Sequence, residues 1–376
     1  MKDNLYLAWQ YVCHHRGTTA ILITSITLIA YLPAALQVIA DNAEEHFRDR
    51  AESTPLLVGP RGGDLELVLA SVYFDQPCED VLRMDHFQKI EQQDFGQAIP
   101  LHTRFQSRET AIVGTTKDYA DLRNLQVANG KMWSRLGECV VGSSAAKKLD
   151  IQVGSKIPVD TTTAFLLNDA PLRLREAGIL ASTETPDDEV IFVDLETTWV
   201  IEGLGHGHAR SAEHGSPEAT LYTDITAENV HSFHFHGNRG NFPITAVIVV
   251  PKSQKAETLL MGQYLSPENT AQIARPGQVM DALLGKVFMV RSYIIAIVAA
   301  VSLVTLLTLS LVIVLSIRLR RSELVTMSKI GCSRHTIVSI LGSQILIILA
   351  ASFLSATVLT LITDAYGREL VRFFFF

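Results

Sequence analysis

Six of the twelve histidines in this 376-residue chain fall between positions 202 and 240: His206, His208, His214, His231, His234 and His236. Imidazoles spaced by two and three residues can converge on a cation such as zinc, with Glu213 or Glu218 available as an oxygen donor. The Gly, Ser, Asn and Glu residues between them describe a plain variable polar loop equally well. No H-E-x-x-H and no fixed structural-zinc spacing is present. Zinc is therefore expected here only as a transient guest, and no intrinsic cofactor is implied. A second stretch, residues 318–344, carries Arg318, Arg320, Arg321, Lys329 and Arg334 against one acid, Glu323. Such a stretch docks on a partner or a membrane surface; it does not catalyse. Ser143 and Ser144 lack a G-x-S-x-G elbow, so helix capping is expected of them in place of nucleophilic attack. The segment Pro60-Arg61-Gly62-Gly63-Asp64 has no Gly-Lys-Ser/Thr ending and reads as a turn, not a phosphate loop.

The elements that position these residues are membrane helices and one large outer domain. Residues 18–40, 293–317 and 336–363 are apolar runs without a charge, each long enough to cross a bilayer. The absence of ionisable groups from them argues against a proton relay or channel. Small and polar residues in the third run, Ser339, Gly342, Ser343, Gln344, Ala350, Ala351 and Ser355, favour close helix packing. The basic stretch between the second and third runs belongs on the cytoplasmic side. Its Leu324, Met327 and Ile330, then Ile337 and Ile340, recur at threes and fours, and Gly331-Cys332-Ser333 reads as a helix stop followed by an N-cap. An amphipathic helix over 318–334 is expected; a solvated loop is the alternative.

Residues 1–17 place Trp9 and Tyr11 among apolar side chains beside Lys2, His14, His15 and Arg16, which predicts an interfacial helix. The first run reads as an uncleaved anchor, since no small-x-small site precedes Asp41. Residues 41–52 then extend it as a charged helical stalk ended by Pro55. About 250 residues separate the first and second runs, enough for one or two folded domains. Strand, Ser-capped helix, turn and strand are expected over 138–157, two strands about a Thr-Pro-Asp-Asp turn over 177–193, a helix over 195–201 and a buried strand over 242–251. After Pro276-Gly277 a helix is expected whose stripe Val279, Leu283, Val287 and Val290, flanked by Met280, Leu284 and Phe288, runs straight into the second run as a lever. The net charge of −7 gives no support for a nucleic-acid partner. Cys13 and Cys332 should be free, whereas Cys78 and Cys139 both lie outside, where pairing is open.

Arg320-Arg321-Ser322-Glu323, Lys329-Ile330-Gly331 and Ser333-Arg334 with Ile337 resemble the cytoplasmic pattern of MacB/FtsX-like permeases. Residues 138–157 and 175–195 resemble the extracytoplasmic domain of that family, and Ala8-Trp9 resembles its approach to the first span. The resemblance implies an α-helical membrane protein with three transmembrane helices and an α+β extracytoplasmic domain. Residues 1–40 would hold the interfacial helix and first span, and residues 41–275 the MacB-like domain with its His-rich loop 202–240. Residues 276–376 would be FtsX-like: lever helix, second span 293–317, coupling helix 318–334 and third span 336–363. The implied role is that of a non-enzymatic permease subunit in an ABC transport or mechanotransmission system of the bacterial inner membrane, with its N-terminus cytoplasmic. ATP would be hydrolysed by a separate cytoplasmic ABC ATPase docking on Arg320, Arg321, Glu323, Lys329, Gly331 and Arg334. Further implied partners are a second permease subunit (a homodimer or a four-span partner), a periplasmic adaptor or substrate-binding protein, and membrane lipid. Usual members have a fourth span, so a three-span variant or a truncation is expected. An FtsX-like scaffold that regulates a wall partner without transport is the alternative, and a membrane-anchored outer enzyme the third reading.

Overall fold

A computed structural model describes residues 2–160, 172–207, 223–266, 269–319, 325–326 and 329–367. The chain divides into two compact units, Met1–Phe47 with Leu284–Phe376, and Arg48–Leu283. It begins with helix α1 (Lys2–His14) and helix α2 (Arg16–Glu52). Helix α2 takes in the apolar run and the charged stalk as one element, with Pro33 inside it. A proline is tolerated in such a helix where neighbouring groups satisfy the freed carbonyl. The stalk residues Ala, Glu and Arg are good helix formers, and the helix stops just before Pro55.

The second unit opens with β1 (Leu56–Pro60), α3 (Asp64–Val68), β2 (Leu82–Arg83) and α4 (Met84–Gln93). A hairpin of β3 (Gly96–Ser107) and β4 (Thr110–Thr115) follows. Its two-residue loop puts Arg108 and Glu109 at φ 46 and 62, the left-handed pair that a tight twisted hairpin demands. Next come α5 (Lys117–Leu122), β5 (Val127–Gly130), β6 (Glu138–Val141), α6 (Ser143–Lys148), β7 (Lys156–Pro158), β8 (Leu172–Leu180) and β9 (Ile191–Asp194). The remaining elements of this unit are α7 (Leu195–Ile201), β10 (Gly205–Gly207), β11 (Thr223–Asp224), β12 (Phe233–Phe235), β13 (Pro243–Ile244), β14 (Ala246–Pro251), α8 (Gln254–Tyr264) and β15 (Ala271–Ala274).

Among the described residues most strands join one mixed sheet in the order β11-β8-β6-β9-β4-β3-β14-β1-β15, with β5 and β7 also against β8. The β8–β6 and β4–β9 pairings are parallel, and β6–β9 is antiparallel. One core gathers Phe105, Ile112, Cys139, Val141, Leu174, Ile191 and Val193 under Ala145 and Ala146 of α6 and its C-cap Leu149. The other gathers Leu56, Val58, Val247 and Val249 with Ile90, Leu195, Trp199 and Leu260. Strand β14 is buried on both faces from Ala246 to Val249, which is why it reads as a continuous apolar run. The two-strand ribbons β10–β12 and β13–β2 stand apart from the main sheet.

Helix α9 (Pro276–Leu319) follows, and after the basic stretch helix α10 (Arg334–Ala365). Gly331 takes φ +101, a conformation only glycine adopts readily, and Ser333 accepts a hydrogen bond from the Thr336 amide at 3.1 Å as N-cap. In the first unit α10 packs on α2: Tyr31 Oη meets Thr363 Oγ1 at 2.8 Å, and the Thr27 hydroxyl donates to the Ser352 carbonyl. Ile348, Ser352 and Ala356 form the buried line, one residue per turn, whereas Gly342, Ala350 and Ser355, which the sequence pattern assigned to close helix packing, are exposed. Among the described residues two helices, α2 and α10, are long and apolar enough to cross a membrane. The middle apolar run lies within α9, where Ile295–Thr308 is the apolar stretch described.

The structure departs from the sequence pattern at three further places. Ser143 and Ser144 do not cap α6; Gly142 is its N-cap, and both serine hydroxyls are without a hydrogen-bond partner. The apolar stripe of α9 is turned by one residue: Met280 (1% exposed) and Leu284 (7%) are buried, while Val279 and Leu283 are half-buried. Residues 202–240 are not one loop, since β10, β11 and β12 fall within them. Cys78 and Cys139, whose pairing the sequence leaves open, are unpaired buried thiols.

Candidate functional site

The densest polar geometry lies where the stalk of α2 enters the outer domain. Arg50, 6% exposed, donates from both terminal nitrogens to the two oxygens of Asp187, each at 2.8 Å. Its third nitrogen, Nε, donates to the Val72 carbonyl at 3.2 Å. The Tyr119 hydroxyl accepts from Arg50 at 2.8 Å and donates to Asp187 at 2.7 Å, which closes a triangle. Burial works against the charge on Asp187, yet Arg50 holds its carboxyl below the usual carboxylate range. Burial likewise works against the guanidinium, and Asp187 and Tyr119 hold it above its ordinary value. Burial pushes the Tyr119 phenol up to about 12. The group is thus a closed, charged knot with every partner supplied from within the domain.

The chain builds that knot from three separate elements. Asp187 stands in the Thr-Pro-Asp-Asp turn, where Thr185 caps a short 3-10 turn. The neighbouring Asp188 folds the turn back by accepting from the Thr183 and Glu184 amides at 2.9 and 3.0 Å. Tyr119 is presented by α5 and packs on Phe192, which Trp133 also stacks against. Arg123, one turn after Tyr119, donates to Ser53 Oγ at 2.6 Å, so the end of α2 is gripped twice. Within the same unit α2 also meets the start of α9. Arg48 and Asp281 form an ion pair at 3.0 Å, and a Cβ on Gly277 would lie 3.6 Å from Glu52. Four residues forward on α2 match four residues back on α9, so the two helices run antiparallel here. Reading the sequence missed this group. Its signals were an arginine inside an acidic stalk and two consecutive aspartates in a turn.

The residues expected to couple to an ATPase are only in part within the described structure. Arg320, Arg321 and Glu323 lie outside the described residues, and Lys329, Gly331 and Arg334 lie within them. The Ile330 amide bonds to the Thr326 carbonyl at 3.0 Å, one helical turn ahead of the Gly331 break. Arg334 opens α10 directly after its Ser333 cap.

The histidine tract separates into three sets. His206, His234 and His236 come together, with one ring nitrogen from each within 4.8 Å of the others. His231 precedes β12 in a short 3-10 turn and is not in that group. His208 and His214, with Glu213 and Glu218, lie outside the described residues. Pairing of β10 with β12 sets His206 opposite His234, and the two-residue period of a strand puts His236 on the same face. Phe233 and Phe235 take the opposite face and pack against the two cores. Gly205 and Gly207 make room for them, since a Cβ at either would stand 2.6 to 2.7 Å from a phenyl carbon. The turn at Pro60–Asp64 is a plain connection: the Gly62 amide donates to the Gln272 side chain at 3.2 Å.

Residues 21–230 match the model of the MacB-like periplasmic core domain, more than half of the chain. No curated protein matches. Among solved structures, the periplasmic region of MacB from Actinobacillus actinomycetemcomitans is similar at 11% identity and a TM-score of 0.36, covering 62% of this chain and 93% of that one. The extracellular domain of the noncanonic ABC-type transporter YknZ from Gram-positive bacteria is similar at 11% identity and a TM-score of 0.32, covering 58% and 98%. A domain of a putative permease from Porphyromonas gingivalis is similar at 10% identity and a TM-score of 0.27, covering 59% and 88%.

Proposed function

Because this chain belongs to the MacB-like periplasmic core domain family of ABC transporter permeases, we propose that it is the membrane subunit through which a separate ATPase moves the extracytoplasmic domain. In this reading residues 293–317 supply a further span, and the N-terminus and residues 318–334 face the cytoplasm. The partner ATPase seats against Arg320, Arg321, Glu323, Lys329, Gly331 and Arg334. ATP binding and hydrolysis switch it between two shapes, and its differential affinity for two conformations of this subunit supplies the free energy of movement.

The observation that carries the reading is the way α2 ends. A helix that contains an apolar run of membrane length finishes in a buried bidentate Arg50–Asp187 pair inside the outer domain. Opening such a pair leaves an uncompensated buried charge at a cost of about 3–5 kcal/mol. An exposed pair such as Arg48–Asp281 is worth about 0–1 kcal/mol. The buried pair is therefore the one able to hold while the helix is pushed. The Gly331 break and Ser333 cap support a sharp start to α10 next to the proposed docking stretch.

The test is co-purification. Detergent-solubilised wild-type chain is isolated beside Glu323→Lys, and each is scored for an associated ABC ATPase. Capture by the wild type and loss in the variant is the expected result. Absence of an ATPase under every nucleotide condition would overturn the reading.

A further inference from the structure

The three histidines that converge on the β10–β12 ribbon are not used by the proposed coupling. We propose that His206, His234 and His236 form a binding site for a first-row divalent cation of zinc type, with three imidazole ligands and at least one open position. Ring centroids lie 4.9 Å apart for His206–His234, 4.9 Å for His206–His236 and 4.6 Å for His234–His236. Three imidazoles this close together offer the nitrogen donor set that suits such a cation. Ligand nitrogens on one zinc lie about 3.3 Å apart, given Zn–N bonds of about 2.0–2.1 Å. The three ligand nitrogens lie within 4.8 Å of one another, at most about 1.5 Å wider than that spacing.

Two further observations separate this group from a chance cluster. His234 Nδ1 lies 3.2 Å from the Ser232 carbonyl. Donation of its N–H there fixes the tautomer with the lone pair on Nε2, the arrangement commonly found around metal-bound histidine. The ribbon is also rigidly rooted. Trp199 of α7 packs edge-on against Phe235 and Phe242 and donates from Nε1 to the Pro243 carbonyl at 2.8 Å. The His236 amide closes onto the Leu204 carbonyl at 3.2 Å. Behind the ligand face, half-buried Phe235 rests on the buried Trp199 and Phe242, which limits the ordering cost of binding. His206 and His234 are half-buried and His236 is exposed, so the fourth position opens to solvent. That geometry suits a cation that is taken up and released. It places a zinc-responsive or zinc-presenting surface on the extracytoplasmic domain.

The experiment uses metal-stripped, detergent-solubilised full chain, with zinc titrated against a chromophoric chelator. Wild type and His231→Gln are expected to bind one tight equivalent. The triple variant His206→Gln/His234→Gln/His236→Gln is expected to bind at least about 100-fold more weakly. Equal affinity in the triple variant, or no tight equivalent in wild type, overturns the proposal. A readout on wild type alone guards against a variant that fails to fold. One equivalent of Cu²⁺ should show superhyperfine coupling to three nitrogens in electron paramagnetic resonance, and an oxygen-only signature overturns the proposal.

Discussion

Replacing Arg50 with methionine removes a guanidinium from a buried site and leaves the Asp187 carboxylate with only the Tyr119 and Thr185 hydroxyls as side-chain donors. Loss of one partner from a buried ion pair costs about 3–5 kcal/mol. With a urea dependence of about 3 kcal/mol per M for a unit of this size, the unfolding midpoint should fall by about 1–2 M. The readout is intrinsic fluorescence. Trp133 and Trp199 are buried in the outer domain, so a Trp9→Phe background leaves only these two reporters of the chain's three tryptophans. The double variant Arg50→Met/Asp187→Leu should recover most of the loss, because no unpaired charge remains. The effect has a pH signature. The folded pKa of Asp187 is depressed, so its stabilisation is fully present above the unfolded aspartate value of about 3.9 and is lost as pH falls through the lower folded value. In Arg50→Met burial acts on Asp187 without its main opposing charge and raises its pKa, so the variant regains stability as that carboxyl protonates, and the gap to wild type should be widest near pH 7 and narrow as pH falls. A midpoint change under about 0.3 M, or a gap that widens in acid, would refute the argument.

Burial pushes the Cys78 thiol up to about 11 and raises Cys139 well above its ordinary value, whereas Cys332 is exposed. Cys78 should carry about 100-fold less thiolate than an ordinary cysteine near neutral pH, so maleimide should modify Cys332 long before Cys78 or Cys139. An impermeant maleimide should reach Cys332 in inverted vesicles and not in intact cells; the opposite pattern would reverse the proposed topology. Ser333→Ala should cost the helix about 1 kcal/mol by removing its cap. Gly331→Ala should cost about 1–2 kcal/mol through its left-handed backbone. Both variants should weaken ATPase capture while leaving the outer-domain unfolding midpoint unchanged.

Local features of the chain announced themselves where one element decides them. Strand β6, the helix α7 and the Gly331-Ser333 junction follow from apolar runs, an Asp194 cap and a glycine, all within a few residues. Features that depend on pairing did not. Arg50 and Asp187 are 137 residues apart, and nothing local distinguishes Arg50 from the exposed charges around it. The histidine tract was visible as a metal candidate, but spacing could not select its members. The register of β10 on β12 does that, and a three-residue Gly-His-Gly strand carries almost no β signal of its own. In α9 two adjacent apolar stripes compete, and one residue of helix rotation decides which is buried. Ser143 failed as a cap for a similar reason. Gly142 already provides the extended backbone of the N-cap, which moves the serines into the first turn.

The central claim is that events at the cytoplasmic stretch are felt in the outer domain. Hydrogen exchange on the purified complex with its ATPase, without nucleotide and trapped with ATP and vanadate, tests it most directly. Trapping is expected to change protection at residues 48–54 and 185–194, around Arg50 and Asp187, as well as near 318–334. In Arg50→Met the cytoplasmic change should persist and the outer one should fade. A trapped complex that alters exchange only near 318–334 in wild type would contradict the coupling mechanism.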